Sequence, residues 1–242
     1  MINRENAPIG IIGAMDVEIE QIVENMTDIN ETVTAGLVFR IGKLKGVPLV
    51  AVKCGAGKVN AAVCAQLLIM NYSPRLVLNI GVAGGIGPDV HIGDLVIADS
   101  CVQHDFDVSA VGEPAGQITI CGAPITELPC DRETAARLRA YAEEIYGSVH
   151  TGIIATGDVF VADAESCLDI NRRFGAIACE MEGAAVAHVC FMNAVPAAVL
   201  RSISDNANDS AAVDFLEFVA EAAKKSQRLI EMAAEGLVEV EG

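Results

Sequence analysis

The segment Ala178-Cys179-Glu180-Met181-Glu182-Gly183-Ala184-Ala185 is the most informative stretch of this chain for the fold. It places two carboxylates where an apolar strand gives way to an Ala-rich helix that is apolar on nearly every side. We therefore expect the segment to lie inside the protein, where an ionised carboxylate is costly without a partner or a ligand. Residues two apart point to opposite sides, so one of Glu180 and Glu182 should have a structural partner and the other should face a cavity. Two caps at a helix N-terminus are the alternative interpretation.

Composition and charge limit the class of protein. The chain has 242 residues, 52% of them hydrophobic, and 22 Gly, which is typical of a single α/β domain spanning residues 1–242 with strands buried on both faces. The net charge of −17 argues against a nucleic-acid partner, because phosphate backbones require clustered Lys and Arg. No apolar run is long enough to span a membrane, and no signal peptide opens the sequence, so we expect neither a membrane partner nor secretion.

The cysteines indicate a reducing compartment and no metal. The 8 Cys form no CxxC pair and no cluster with the 4 His, which disfavours a zinc site. Cys64, Cys179 and Cys190 lie in apolar contexts, where a thiol behaves as a small hydrophobic group. We therefore expect a cytoplasmic protein without a metal site.

Strand and helix signals alternate along the chain, which predicts a mixed sheet between helices. The strand at 47–53 should pair antiparallel with the one before it through a turn at Lys45-Gly46. Strands are predicted at residues 9–13, 32–44, 47–53, 75–80, 94–100, 149–155, 176–178 and 197–202, and helices at 16–25, 58–70, 131–146, 164–172, 183–191 and from 213 onward.

Four polar or Gly-rich segments, at residues 13–16, 55–58, 81–85 and 202–206, are predicted as loops that follow strands. Such loops converge at one edge of an open sheet and carry most functional residues. Gly10 to Gly13 lacks the GxGxxG spacing of a dinucleotide site, and Gly55 to Lys58 lacks the spacing of a P-loop. The glycines are better explained by close approach of the backbone to a ligand.

Seven segments together resemble the nucleoside phosphorylase/hydrolase superfamily, and more narrowly the bacterial 5′-methylthioadenosine/S-adenosylhomocysteine nucleosidases. The resemblance extends over nearly the whole chain. In chain order the segments are Ile9-Gly10-Ile11-Ile12-Gly13-Ala14-Met15 with Glu18, Gly55-Ala56-Gly57-Lys58-Val59, Asn79-Ile80-Gly81-Val82-Ala83-Gly84-Gly85, His104-Asp105-Phe106-Asp107-Val108, Thr156-Gly157-Asp158-Val159-Phe160, Glu180-Met181-Glu182 and Arg201-Ser202-Ile203-Ser204-Asp205.

The resemblance implies a fold and an activity. The fold is a three-layer α/β/α arrangement around a mixed, partly barrel-like sheet, in a homodimer with a shared active site. The activity is hydrolysis of the N-glycosidic bond of 5′-methylthioadenosine and S-adenosylhomocysteine, and of 5′-deoxyadenosine as a further substrate, with release of adenine and no cofactor. Such an enzyme would serve methionine salvage and remove a product of methyl transfer.

The resemblance also implies three catalytic carboxylates. Adenine leaves easily only when its N7 is protonated, and Asp205 matches the general acid. Glu18 matches the carboxylate that positions and deprotonates the attacking water. Glu182 matches the residue that binds the ribose hydroxyls beside an oxocarbenium-like sugar. By residue type alone, Asp205 could be an Asx-turn residue and Glu18 a solvated residue in the first turn of a helix.

Further residues match the family's substrate contacts. Phe160 should stack on adenine, although Phe is more often a core residue, while the Val161 backbone should bond the edge of the base. Met181 should pack under the sugar, with Arg201 near Glu182 and Ser204 holding the loop of Asp205. The whole matched set is Met15, Ala56, Val82, Phe160, Val161, Met181, Arg201, Ser204 and Phe215, together with Val108 and Val111 contributed by a partner subunit.

The pocket for the 5′-alkylthio group departs from the family pattern. Met15, Ala56 and Phe215 should line it, but Ala56 and Val111 are smaller than the residues expected at these positions. Val82 replaces a Ser of many relatives and removes a hydroxyl near the ribose. These changes predict a wider pocket and leave the preferred 5′ group open.

The attacking group is decided by charge. Phosphate is a dianion that needs fixed cations, usually Arg. The resemblance implies that phosphorylase relatives carry Arg after the first Gly-rich loop, in the hairpin and just before Gly81. In this chain the first loop carries Asp16 and Glu18, the hairpin has Ala35 and Gly36 with Arg40 nearby, and Asn79 stands at the third place. Hydrolysis is therefore favoured over a purine nucleoside phosphorylase.

Other classes remain as alternatives. A futalosine-type nucleosidase is one. A nucleoside-binding protein without activity is another, although the joint presence of Glu18, Glu182 and Asp205 argues against it. A Rossmann dehydrogenase fails on its fingerprint.

Overall fold

The computed structural model describes residues 7–207 and 211–237, except for the side chain of Val213. Strands and helices alternate through these residues as the apolar pattern predicts. The strands are β1 (Ile9–Gly13), β2 (Thr27–Thr34), β3 (Leu37–Leu44), β4 (Val47–Lys53), β5 (Leu76–Gly85), β6 (Leu95–Gln103), β7 (Ile118–Ile120), β8 (Ala123–Ile125), β9 (Leu128–Pro129), β10 (Val149–Thr156), β11 (Ala176–Glu180) and β12 (Ala197–Asp205). The helices are α1 (Asp16–Glu24), α2 (Lys58–Tyr72), α3 (Arg132–Ala142), α4 (Ala164–Phe174), α5 (Gly183–Met192) and α6 (Ala211–Ala233).

Ten of these strands form one mixed sheet that closes partly on itself. The order is β11-β10-β6-β12-β5-β1-β4-β3-β2, with β9 beside β6. Strand β11 also pairs antiparallel with β5, at Ala178 opposite Gly85 and Cys179 opposite Gly84. This last pairing closes a ring of five strands (β5, β12, β6, β10 and β11), while β1 to β4 extend from it. The predicted partly barrel-like sheet is confirmed.

Helices cover both faces of the sheet because its strands are apolar on both faces. On β1, Ile9 and Ile11 pack with α1, α3 and α6, while Ile12 packs on the other side with α2 and α5. The alternation along a single buried strand therefore produces the predicted three layers. Helix α5 is wrapped in apolar neighbours, and its Ala184, Val186 and Cys190 are fully buried.

Three predicted segments differ from the structure. The single strand predicted at residues 32–44 is two strands, because Ala35 and Gly36 have positive φ and form a tight turn between β2 and β3. The segments predicted as loops at 81–85 and 202–206 lie mostly within β5 and β12, which run on to Gly85 and Asp205. In addition, between residues 101 and 129, a Gly/Pro-rich stretch for which no strand or helix is predicted, the structure has the small hairpin of β7 and β8. The other boundaries agree within a few residues.

The parallel strands β1, β4, β5 and β12 end at the same edge of the sheet. The closure of β11 onto β5 brings the carboxyl end of β11, at Glu180, to that edge as well. Polar residues at these strand ends are thus collected in one place, although they are far apart in sequence. No helix in the described ranges has the length and apolar character needed to cross a bilayer.

Candidate active site

A cleft with about 680 Å³ of empty space opens at this edge of the sheet. The wall is largely apolar with a few convergent polar groups, which is typical of small-molecule sites. It is lined by Ala14, Met15, Glu18, Ala56, Val82, Ala83, Gly84, Val159, Phe160, Val161, Cys179, Glu180, Met181, Glu182, Ser204, Asp205 and Phe215.

Glu18 is held in the wall by backbone amides. It lies in the first turn of α1 and is buried, so its predicted alternative as a solvated helix residue is wrong. One carboxylate oxygen accepts hydrogen bonds from the amides of Ala14 (2.6 Å) and Met15 (2.9 Å), and the other accepts one from Val82 (3.2 Å). Burial raises the pKa of Glu18, although the Arg201 charge and these amides oppose the rise. A fixed carboxylate with a raised pKa can accept a proton from water.

Asp205 ends β12 on the same wall. One carboxylate oxygen accepts a hydrogen bond from the Ala207 amide (2.8 Å), and the other accepts one from the Ser204 hydroxyl (3.0 Å). Burial raises the pKa of Asp205, while these two hydrogen bonds oppose the rise. The bond to Ala207 has the form of an Asx turn, which was the alternative role for Asp205. Asp205 therefore both forms this turn and lines the cavity. A carboxyl with a raised pKa is suited to donate a proton.

Glu180 is the structurally bonded member of the carboxylate pair. It forms a buried ion pair with Arg201, whose Nε donates to Oε2 at 3.2 Å. The amides of Glu182 (2.9 Å) and Gly183 (2.8 Å) donate to the same oxygen, and the Thr156 hydroxyl donates to Oε1. Glu180 therefore caps α5, as one of the two sequence interpretations expected, while it neutralises a fully buried guanidinium.

Glu182 has the opposite environment. Among the described residues it accepts one hydrogen bond, from the Gly57 amide to Oε1 at 2.8 Å, and its carboxylate faces the cavity. It is the N-cap residue of α5 but makes no side-chain cap bond. Burial and the neighbouring Glu180 charge raise the pKa of Glu182 to about 7. The predicted division of roles within the pair is present, with Glu180 bonded by the protein and Glu182 open to a ligand.

Two glycines of β5 allow these carboxylates to approach the backbone. A Cβ added to Gly81 would lie 2.6 Å from the Glu18 carboxylate, and one added to Gly84 would lie 2.8 Å from that of Asp205. Both distances are shorter than van der Waals contact. The Gly-rich segment thus provides close approach of side chains to the strand, whereas the sequence pattern had indicated contact of its glycines with the ligand.

Apolar residues form the remainder of the wall. Phe160 and Phe215 make an edge-to-face contact at 5.7 Å, and the Phe160 ring is 46% exposed at the mouth of the cavity. An aromatic ring held in this way is available to stack on a flat ligand. The predicted lining residues Met15, Ala56, Val82, Phe160, Val161, Met181, Ser204 and Phe215 all lie in the wall.

Arg201 is placed differently from the prediction. It does not line the cavity, and its guanidinium donates to Glu180 and to both the backbone and side-chain oxygens of Asn79. The ion pair of Arg201 is with Glu180, while its charge also opposes the rise that burial produces in the pKa of Glu182, so the predicted nearness to Glu182 is present without a direct bond between the two side chains. Arg201 is 1% exposed, so its guanidinium is not open to a ligand in the cavity of this structure.

Val108 and Val111 also lie outside the cavity wall of the single chain. Val111 ends a single 3₁₀ turn (Ser109–Val111) and is 80% exposed. Six wall residues are not in the predicted set of catalytic and binding residues: Ala14, Ala83, Gly84, Val159, Cys179 and Glu180. Each lies within two residues of a predicted one, and that adjacency was the signal that could have identified them.

Comparison with known proteins gives one consistent result. The family model described as the phosphorylase superfamily matches residues 8–235. A 5′-methylthioadenosine/S-adenosylhomocysteine nucleosidase of Shewanella piezotolerans is 41% identical over 223 residues, covering 92% of this chain and 96% of that protein.

Solved structures agree with the sequence relatives. The nucleosidase of the same name from Neisseria meningitidis, in complex with methylthio-immucillin-A, is 32% identical with a TM-score of 0.90, covering 95% of this chain and 99% of the other. A futalosine hydrolase mutant of Helicobacter pylori is 35% identical with a TM-score of 0.89 over the same shares of the two chains. The chain therefore belongs to the phosphorylase superfamily and, within it, to the 5′-methylthioadenosine/S-adenosylhomocysteine nucleosidases.

Proposed function

We propose that this protein hydrolyses the N-glycosidic bond of 5′-methylthioadenosine and S-adenosylhomocysteine, releasing adenine, in methionine salvage and the removal of a methyl-transfer product. The observation that carries the proposal is the placement of Glu18, Glu182 and Asp205 on one cavity wall. Membership of the nucleosidase family supports the same activity. A binding protein would have no use for an acid and a base held in this way, so the wall favours catalysis.

Each carboxylate has a role that fits its environment. Asp205, whose pKa is raised by burial, donates a proton to adenine N7 so that the base can leave. Glu18, fixed by three amides, orients the attacking water and accepts its proton. Glu182 accepts hydrogen bonds from the ribose hydroxyls and stabilises the positive charge that develops on the sugar. Phe160 stacks on the base, and Met181 packs under the sugar.

The charge of the wall favours water over phosphate as the attacking group. Within the described ranges, the cavity is lined by four carboxylate side chains and by no Lys, Arg or His. The nearby Arg201 is already bonded to Glu180 and Asn79. Phosphate would meet negative charge without a cation to offset it, and the Coulomb repulsion in a partly buried site amounts to several kcal/mol, about 4 kcal/mol for a single pair of charges 4 Å apart.

The test is an assay of adenine release from 5′-methylthioadenosine in buffer with and without inorganic phosphate. We expect the same rate in both buffers and free 5-methylthioribose as the sugar product. Release that depends on phosphate, with a sugar 1-phosphate as product, would instead identify a phosphorylase. No adenine release in either buffer, despite binding of the nucleoside, would identify a binding protein.

A second substrate class is favoured by one of the structural relatives. A futalosine hydrolase mutant has the same fold and 35% identity, and the wall contact Ala56 is small. Methylthioadenosine, S-adenosylhomocysteine, 5′-deoxyadenosine and futalosine should therefore be compared as substrates. A kcat/KM for the futalosine compound that exceeds those of the thio-nucleosides would reassign the preferred 5′ group without changing the chemistry.

We further propose a homodimer in which Val108 and Val111 reach the 5′ end of the partner's cavity. The exposed apolar residues Val111 (80%) and Val59 (74%), the latter in the first turn of α2, support an apolar interface with a second copy. Val108→Asp should weaken association in sedimentation and raise KM together. An active wild-type monomer at assay concentration contradicts the shared site.

Two broader expectations also remain proposals. Residues 1–242 are proposed as one nucleosidase domain, and the participation of strands from Ile9 to Asp205 in a single sheet supports this. A cytoplasmic location is proposed, supported by eight free cysteines, seven of them buried.

A further inference from the structure

One polar cluster beside the cavity has no part in the chemistry proposed above. It joins Lys58, the first residue of α2, to Asp105 after β6 and Asp158 after β10. None of the three lines the cavity. Asp105 and Asp158 each follow by two residues the paired strand ends Gln103 and Thr156, whereas Lys58 comes from a helix that is not part of this pairing.

The three residues form a closed ring of hydrogen bonds, which we call the Lys58 ring. The Lys58 ammonium donates to Asp105 Oδ1 at 2.6 Å. The other oxygen of Asp105 accepts from the Asp158 amide at 2.9 Å, and the Asp158 carboxylate accepts from the Lys58 amide at 2.8 Å. Charged groups take part in every bond, so each bond is of the stronger class. The Lys58 and Asp105 side chains are only 18% and 24% exposed, which limits screening by solvent.

The Lys58 ring is connected through the chain to the segment proposed to contact the base and through Gly57 to Glu182, which is proposed to contact the ribose. The residues after Asp158 are Val159, Phe160 and Val161, all of which line the cavity. The residue before Lys58 is Gly57, whose amide donates to Glu182. Gly57 has φ +96°, and a Cβ there would lie 3.1 Å from the Asp158 carboxylate, so a glycine is needed for the two segments to meet. The consecutive amides of Gly57 and Lys58 thus bind Glu182, which is proposed to contact the ribose, and Asp158, which precedes the segment proposed to contact the base.

We propose that Lys58, Asp105 and Asp158 are positioning residues, which fix the base-contacting segment Val159-Phe160-Val161 in register with Glu182. The inference rests on the proposed nucleoside hydrolysis for its kinetic consequences, but not for its structural ones. A displacement of about 1 Å between reacting groups can reduce a rate about 100-fold, so register between the base and ribose contacts matters to turnover.

The test compares Lys58→Met with a matched control. Lys43→Met breaks a similar pair, Lys43–Asp28 at 3.0 Å, which lies on β3 and β2. Three kinds of measurement are made on both variants and on the wild type: steady-state kinetics (kcat and KM) with 5′-methylthioadenosine, the dissociation constant for free adenine, and amide hydrogen exchange of residues 159–161.

For Lys58→Met we expect the adenine dissociation constant and KM to rise about 10-fold or more, with faster exchange at 159–161, because a charge-assisted bond is lost. Lys58→Arg should recover part of the loss, since it retains a cation. Asp105→Asn in the Lys58→Met background should add little further effect if the two residues act as one unit. Lys43→Met should leave all three measurements unchanged.

Unchanged adenine affinity and exchange in folded Lys58→Met and Asp105→Asn variants would overturn the inference. A lower melting temperature without those changes would also overturn it, since it would show a purely structural role. If the wild type fails to hydrolyse nucleosides, the proposed function fails separately, and exchange at 159–161 still decides whether the Lys58 ring orders this segment.

Discussion

The buried carboxylates that line the cavity fall into two regions with different partners: Glu180 with its ion-pair partner Arg201, which we call the floor, and Glu18, Glu182 and Asp205, which we call the wall. In the floor, Glu180 is bonded to Arg201, to the amides that start α5 and to Thr156. In the wall, Glu182 accepts one bond from the described residues. Two residues of sequence separate the structural carboxylate from the reactive one. The difference is one of charge: Arg201 forms an ion pair with Glu180, whereas the described residues bind Glu18, Glu182 and Asp205 through amides and one hydroxyl and form no ion pair with them. A carboxylate of this cavity is thus proposed for chemistry where no cation is bonded to it.

The largest expected effect comes from the wall. Asp205→Asn cannot protonate the leaving base, and Glu18→Gln cannot accept the proton of water. Each should reduce kcat about 10²–10⁴-fold, the usual contribution of general acid–base catalysis. Asp205→Asn should melt at or above the wild-type temperature, because it removes a buried ionisable carboxyl. Glu18→Gln should melt lower, because its side-chain nitrogen faces a backbone amide that now donates to the carboxylate. Steady-state kinetics and calorimetry check this. Wild-type turnover in Asp205→Asn would remove the leaving-group assignment.

The next largest effect comes from the floor, and it acts on stability. Arg201→Met leaves Glu180 as a buried charge without its cation, which should lower the free energy of unfolding by about 3–5 kcal/mol. Replacing both partners, in Arg201→Met/Glu180→Leu, should restore part of this loss, because the unpaired charge is also removed. Denaturant unfolding of the two variants gives the comparison. A double variant less stable than Arg201→Met would show that the other bonds of Glu180 matter more than the ion pair.

Glu182→Gln is expected to change the free energy of unfolding by a smaller amount and in the opposite direction, that is, to raise it at high pH. The pKa of Glu182 is raised to about 7 from its ordinary 4.5, so the folded protein holds this proton more tightly than the unfolded chain. The stability associated with the proton is present below about pH 4.5 and is lost as the pH rises through about 7. The Gln variant should therefore be more stable than wild type at pH 8, by about 1–3 kcal/mol, and nearly equal at pH 5. Its turnover should fall because the ribose contact loses its charge.

Melting temperatures at the two pH values test this directly. An equal change in melting temperature at pH 5 and pH 8 would show that Glu182 titrates normally. It would then belong with Glu180 among the structurally satisfied carboxylates.

The smallest effect is expected at an exposed ion pair remote from either region. Lys43 and Asp28 lie 3.0 Å apart with side chains 50% and 71% exposed. Lys43→Met should change the free energy of unfolding by at most about 1 kcal/mol, because solvent screens such pairs. Chemical denaturation measures it. A loss as large as that of Arg201→Met would show that burial does not determine how much an ion pair of this protein contributes to stability.

Much of this arrangement follows from the sequence alone. The apolar run at Ile9 to Gly13 and the other apolar runs along the chain predict the layered sheet. The spacing of Glu180 and Glu182 predicts that their roles differ. The turn at Ala35-Gly36 was missed because Ala at positive φ is an unusual turn residue. The ion pair of Arg201 with Glu180 was also not predicted. Glu180 and Glu182 face opposite sides, and only the closure of β11 onto β5 determines which of the two meets the guanidinium.

The Lys58 ring shows a different limit of sequence analysis. Lys58, Asp105 and Asp158 each stand in one of the quoted motifs. Taken alone, the motif of Lys58 invited only a comparison with a phosphate-binding loop. Nothing in the spacing of 47 and 53 residues between them indicates a mutual contact. Long-range hydrogen bonds between loop residues depend on how the strands before them are ordered, and that order is a property of the whole sheet.

The origin of the oxygen on the released sugar tests the central claim most directly. The reaction is run with 5′-methylthioadenosine in H₂¹⁸O containing unlabelled phosphate, and the sugar is analysed promptly by mass spectrometry, with a sample of unlabelled sugar incubated alongside to correct for exchange. We predict that the sugar carries ¹⁸O at C1, above the exchange control, and that no sugar phosphate forms. Unlabelled sugar 1-phosphate would contradict the account, because it would show that phosphate and not the water held by Glu18 attacks the sugar.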